Sequence, residues 1–141
     1  MNIQEKRPIV YTAFSKHYFY AKMLISAYVL DKGYVPLNPF NNWEYFMNDM
    51  VKRNLVVRGN NNLILLSEEV WIFGPIADGV FAEVKFANSR DIPVKYFSVG
   101  KEMSSIQPLK NTELTFEDEL LQQFSLETIR TEFNFLNSAR S

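Results

Sequence analysis

Along residues 8–99 the apolar positions alternate between short continuous runs and helical spacing. "PIVYTAF" (8–14) is a β-branched and aromatic run opened by proline, which suits the start of a strand. "SKHYFYAKMLISAYVLDKG" follows; Ser15 is placed to cap a helix, Ala21, Leu24, Ala27 and Tyr28 recur at helical spacing, and Gly33 suits its end. "YVPLN" (34–38) predicts a second short strand between prolines. "NNWEYFMNDMVKRNLVV" carries Asn41 with Glu44 three residues on, a capping-box pattern that predicts a second helix. "RGNNNLILLSE" breaks that helix and restarts as a short one. "EVWIFG", "DGVFAEVKFANSR" and "IPVKYFSV" predict a third strand, a third helix and a fourth strand.

This order, β-α-β-α-β-α-β, predicts an α/β fold. We expect a Rossmann-like (flavodoxin-like) parallel sheet of four to five strands, with helices on both faces. Residues 1–100 form the expected α/β core. Residues 101–141 read as a C-terminal loop and helices that pack on the core or on a partner subunit. "GKEMSSIQPLKN" is a loop with room for a short fifth strand. "TFEDELLQQF" and "SLETIRTEFNFLNSAR" read as helices, with Thr115 and Ser125 as caps and Phe133 and Leu136 as an apolar stripe.

Composition narrows the functions this fold can carry. The 141 residues suffice for one domain with a real core, and 47% hydrophobic against 22% charged residues marks a globular chain. The 15 basic and 16 acidic residues give a net charge of -1, without the basic excess that a nucleic-acid polymer requires. Aromatics make up 15%, which suits a large-residue core or a pocket for planar ligands. No cysteine is present, which excludes disulfides and thiol chemistry. The N-terminus lacks a signal-peptide pattern, and no apolar stretch approaches a membrane span, so a cytoplasmic protein without membrane contact is expected.

In open parallel sheets, ligands sit beyond the carboxyl ends of the strands, near the point where strand order reverses. Here those ends are "AFSKH", "LNPFNN" and "GPIADG", a polar rim holding Ser15, His17, Asn38, Asn41, Asn42 and Asp78, with Phe14 and Phe40 within it. Gly79 opens the third helix, where backbone N–H groups favour anions. Neither a dinucleotide fingerprint nor a phosphate loop of the Walker kind is present. Glu83 falls in or just past the first turn of that helix. There it is either a surface acid favoured by the helix dipole or a carboxylate placed to attack a sugar anomeric carbon. Asp78 equally suits a helix cap, Tyr11 a core aromatic, His17 a surface position and Arg58 a solvated helix end. Trp71 suits the core, and Trp43 stands where it can cover the pocket.

"IVYTAF", "YVPLNPF", "EVWIFGPIADGVFAEVKFA" and "DIPVKYF", in that order over residues 8–98, resemble the nucleoside 2-deoxyribosyltransferase-like superfamily. The closest stretch is "DGVFAEVKFA": Gly79, Glu83, Phe86 and Ala87 fit the pattern, and Lys85 stands where glycine is usual. The resemblance implies that Glu83 is the nucleophile that attacks C1' and releases the base, with Tyr11 orienting it. It also implies a nucleoside or nucleotide as small-molecule partner, no metal, no cofactor, and a homo-oligomer. Asn61 stands where the transferases carry an acid against the base; an amide hydrogen-bonds a base but supplies no proton. Asp78 partly substitutes for it. Ser15 is the nearest hydroxyl for a phosphate, apart from Thr12.

Three functions follow. One is an N-glycosidase or deoxyribosyltransferase in which Glu83 and Tyr11 do chemistry while Asp78, Gly79, Asn61, Ser15 and Phe14 hold the substrate. Another is a non-catalytic nucleotide-binding or sensor module on the same fold. A third, an assembly or phage–host interaction protein, rests only on the aromatic content and the tail.

Overall fold

The computed structural model describes residues 5–43 and 50–140, with the side chains of 134–140 excepted. It is a five-stranded α/β sheet of order β2-β1-β3-β4-β5. Strands β1 (Ile9–Phe14), β2 (Val35–Leu37), β3 (Glu69–Phe73) and β4 (Val94–Phe97) run parallel, and β5 (Pro108–Leu109) is an antiparallel edge. The strand order reverses between β1 and β3. The chain runs outward from β1 to β2, then back across to β3 on the other side, leaving a crevice at the carboxyl ends of the central pair. Gly74, at φ +80, makes the turn out of β3 that leads to the next helix.

The apolar runs form strands because both their faces are buried. Tyr11 and Ala13 of β1, Val70 and Ile72 of β3 and Tyr96 of β4 face one side, with α4 (Asp78–Ser89) packed there through Val80, Phe81, Val84 and Ala87. Val10, Phe14, Trp71, Phe73 and Phe97 face the other, under α1 (Lys22–Asp31) through Ile25, Tyr28 and Val29. The second face is a lattice of aromatic contacts: the Phe73 and Phe97 rings stack at 5.0 Å, and Tyr28 meets Trp71, Phe73 and Phe97 edge-on.

Several local expectations are corrected. Ser15 does cap, its side chain accepting from the His17 N–H, but it caps a 3-10 turn (Lys16–Ala21) with a non-helical Tyr18 inside it, and α1 starts only at Lys22. Ala21, at the end of that turn, and Ile25, Tyr28 and Val29 of α1 are buried, while Leu24 is half-buried and Ala27 exposed. Asn41 is not a cap. It lies inside α2 (Pro39–Trp43), whose start is held by Asn38, the side chain of which accepts from the Phe40 N–H at 2.9 Å; Glu44 lies outside the described residues. The break at "RGNNNLILLSE" does not occur, since α3 (Arg53–Leu66) runs unbroken through Gly59. A Cβ there would come within 2.9 Å of the Trp43 ring, so the glycine serves the close approach of that indole.

The tail packs on the core. Leu114, Leu120, Ile129 and Phe133 are buried in the same cluster as Tyr11 and Val84, on the α4 side of the sheet. Its helices are α5 (Asp118–Gln123) and α6 (Leu126–Arg140). Ser125 caps α6 by accepting from the Thr128 N–H at 3.1 Å, whereas Thr115 caps nothing. The backbone oxygen of Thr115 instead accepts from the Ile76 N–H at 2.9 Å. Leu136, the other half of the expected stripe, falls among the side chains not described. No described helix is long and apolar enough to cross a membrane.

Candidate active site

A cavity of about 880 Å³ opens at the crevice between β1 and β3. Period-two alternation puts Tyr11 on the α4 side of β1, and the helical period puts Glu83 on the inner side of α4. The Tyr11 hydroxyl donates to Glu83 Oε2, joining residues 72 apart in sequence. Tyr11 is fully buried, while the carboxyl end of Glu83 sits between the sheet and the cavity.

This environment sets the chemistry of the pair. Burial pushes the Glu83 carboxyl up to about 7, and the Tyr11 hydrogen bond works in the opposite direction by favouring the ionised form. Burial, the Glu83 charge and the shared hydrogen bond all push the Tyr11 hydroxyl well above its ordinary value, so the phenol remains a proton donor. The helix dipole does not dominate here. The helix starts at Asp78, so Glu83 lies beyond the first turn, where the dipole fades, and burial decides the result. Among the described residues no cation lies within ion-pair distance of Glu83.

Ser15, Phe14, Asp78, Gly79 and Asn61 all line this cavity along with Glu83. Ala77 rather than Asp78 occupies the cap position of α4. Asp78 Oδ1 accepts from the Gly79 N–H at 2.8 Å and Oδ2 from Gln123 Nε2 at 3.1 Å. Burial would raise the Asp78 carboxyl, but the Gln123 and Gly79 hydrogen bonds and the charge of Arg53 outweigh it and hold the group below its ordinary value. The N–H of Gly79 is therefore committed to Asp78 rather than free to bind an anion. A Cβ on Gly79 would meet no atom within 4 Å, so protein packing does not demand glycine there and the space belongs to the cavity.

The remaining walls are aromatic and polar. Phe40 packs on Phe14 at 5.4 Å between ring centroids, and Trp43 reaches the cavity with its Nε1 donating to Asn60 at 2.7 Å. His17 is exposed and outside the lining; its Nε2 is 3.9 Å from Glu117 and 3.8 Å from Glu119. Arg58 is exposed and also outside. Sequence reasoning missed the contribution of the tail, which supplies Glu117, Glu119, Gln123 and Phe124 to the wall. A single parallel bridge, Ile76 to Phe116, brings that segment in, and no local spacing marks such a bridge in a sequence. Among the described residues, no group of three or more His, Asp or Glu is arranged to hold a metal ion.

A second cleft, about 770 Å³, lies on the opposite face, between the end of α1 and β5, over Tyr34 and Lys95. Its lining holds no carboxylate and neither Tyr11 nor Glu83.

No curated protein matches the chain. A family match covers Tyr11 to Phe97, from the first residue of the site to the end of β4, and leaves the tail outside. That stretch is more than half of the chain, and by it the chain belongs to the domain family of unknown function DUF7768.

Proposed function

We propose that this protein cleaves the N-glycosidic bond of a nucleoside or nucleoside 5'-monophosphate, in the manner of the nucleoside 2-deoxyribosyltransferase-like superfamily that its core resembles. The observation that carries this is the Glu83 carboxyl, desolvated at a cavity wall, held by the Tyr11 hydroxyl and, among the described residues, without a cation. A carboxylate that only stabilised the fold would gain from a cation partner; an unpaired one costs stability and suits chemistry. Burial also makes the ionised carboxylate more basic, and hence a stronger nucleophile. The Tyr11 hydrogen bond fixes its orientation and supports its ionised form.

In the reaction, Glu83 attacks C1', the base departs, and a glycosyl ester forms on the carboxylate. Water then gives hydrolysis, or a second base gives transfer. Phe14, Phe40 and Trp43 supply the apolar wall that a planar base needs, while Asn61, Ser15 and Asp78 supply polar contacts.

One observation favours the second reading, a nucleotide-binding module without turnover. The α3 wall offers the amides of Asn60 and Asn61 to a base but no acid. Both readings meet in one experiment, chromatographic base release from deoxynucleosides, ribonucleosides and their 5'-monophosphates, with Glu83→Ala in parallel. We expect release by the wild type and a loss of at least about a thousandfold in the variant. No release from any member, with a nucleotide still raising the melting temperature, would establish the binder instead.

A further inference from the structure

We infer that Glu117, carried in from the C-terminal tail, is the general acid that protonates the departing base and the general base that activates the incoming water. This rests on the glycosidic reading above and adds to it a residue from outside the segment that carries the resemblance.

A purine or pyrimidine is a poor leaving group as its anion, so breaking its bond to C1' calls for a proton donor at the base. The α3 side of the cavity has only amides to offer. The acids lining the cavity among the described residues are Asp78, Glu83, Glu117 and Glu119. Glu83 is the nucleophile. Asp78 is committed to Gly79 and Gln123 and held ionised by them. The Glu119 side chain is 49% exposed, turned largely to solvent.

Glu117 differs from all three. Its side chain is 14% exposed, and among the described residues its carboxylate takes no hydrogen bond; His17 Nε2 stands 3.9 Å away, and the Glu117 charge also reaches the Tyr18 hydroxyl. Its backbone is fixed to the loop that leads into α4, because Glu117 N–H donates to Ile76 O at 3.0 Å while Ile76 N–H donates to Thr115 O. Phe124 on Phe81, 5.2 Å between centroids, and Gln123 on Asp78 pin the following turn. A rigidly mounted carboxyl that takes no hydrogen bond among the described residues, on the wall of the same cavity as the nucleophile, is what the leaving base requires.

The step balances without any other reagent. As Glu83 Oε bonds to C1', the C1'–N bond breaks, its electron pair stays on the base, and the proton on Glu117 passes to the base. In the second half, the Glu117 carboxylate removes a proton from water as the water oxygen bonds to C1', and Glu83 leaves with its bonding pair. Both carboxyls are then restored.

The test separates leaving groups. Glu117→Gln is assayed on the nucleoside or nucleotide found in the base-release panel and on the 4-nitrophenyl glycoside of the same sugar, whose leaving group departs without a proton. We expect kcat/KM for base release to fall by ~100- to 10 000-fold, and kcat/KM for nitrophenolate release to stay within about threefold of wild type. Azide needs no general base, so adding it should raise the variant's turnover of the nitrophenyl substrate by forming a glycosyl azide. Glu117→Ala, which leaves room for azide, should give the same split. Equal losses on both substrates, or undiminished base release, would overturn the role of Glu117 while the nucleophile stands. A wild type that turns over neither substrate would overturn the glycosidic reading, and this one with it.

Discussion

Two buried aromatics in this fold each give a polar tip to a glutamate, and the two glutamates are handled differently. On the α1 face, Trp71 Nε1 donates to Glu69 Oε1 at 2.8 Å, and Lys95 lies 3.2 Å from the same oxygen and 5.8 Å above the indole ring. On the α4 face, Tyr11 donates to Glu83, and among the described residues no cation lies within ion-pair distance of it. Glu69 sits at the start of β3, its side chain 21% exposed, where solvent and a lysine neutralise it. Glu83 sits against the sheet beside a cavity, where burial raises its carboxyl to about 7. The same hydrogen-bonding device thus holds an acid that a lysine also contacts in one place and, among the described residues, an acid without a cation in the other. Burial beside the cavity, together with the lack of a cation among the described residues, is the difference.

Removing the charge at Glu83 gives the largest expected effect on the fold. The folded carboxyl, at about 7, is raised above the 4.5 of an unperturbed glutamate. The folded state therefore holds its proton more tightly than the unfolded state does. Relative to a neutral side chain, stability is intact below about 4.5, is lost as pH rises toward 7, and stays low above it. At about 1.4 kcal/mol per pH unit across that window, the cost reaches about 3 kcal/mol. Glu83→Gln keeps the shape and an acceptor for Tyr11. It should match wild type in denaturant unfolding at pH 4.5 and exceed it by up to about 3 kcal/mol at pH 8. A difference that stayed constant across this window would remove burial as what sets Glu83 apart.

How far this contrast was legible in the sequence depends on which residues make it. The strands were readable because each is an apolar run between turn residues, and the fold class followed from their alternation with helices. Glu83 stood out through "DGVFAEVKFA". Its partner Tyr11 was named by the same resemblance, but the buried hydroxyl-to-carboxylate contact spans 72 residues and only folding brings it about. Of the two readings of Glu83, the surface acid favoured by the helix dipole does not hold, because the position lies past the first turn and its carboxyl is desolvated. The break expected in α3 failed because a glycine in a helix costs only about 1 kcal/mol against alanine, and here it admits the Trp43 ring. The tail wall, Glu117 included, was invisible because one bridge between Ile76 and Phe116 places it, and such a bridge has no local pattern.

Tyr11→Phe tests the pair from the other side, with an intermediate effect. The Tyr11 hydrogen bond lowers the Glu83 value, so its removal should move the carboxyl above about 7. A nucleophile must be ionised, so the acid limb of kcat/KM should shift to higher pH. Loss of a hydrogen bond to a charged group should slow base release at neutral pH by ~10- to 100-fold. The pH profile is the discriminating readout, because a packing defect alone would lower the rate without moving the limb. Trp71→Phe, which removes the equivalent donor on the other face, should cost stability and leave the limb where it was.

The smallest effect is expected at Lys95, and it sharpens the contrast because it is small. Lys95 is about half exposed, so its pair with Glu69 is screened by water and salt. Lys95→Ala should destabilise the fold by no more than about 1 kcal/mol, and that difference should shrink in 1 M salt while base release stays unchanged. The Glu83→Gln gain at pH 8 should survive the same salt, since its source is desolvation rather than a screened charge pair. If salt removed both differences alike, burial would not be what sets Glu83 apart. The two glutamates would then differ only in the charges around them.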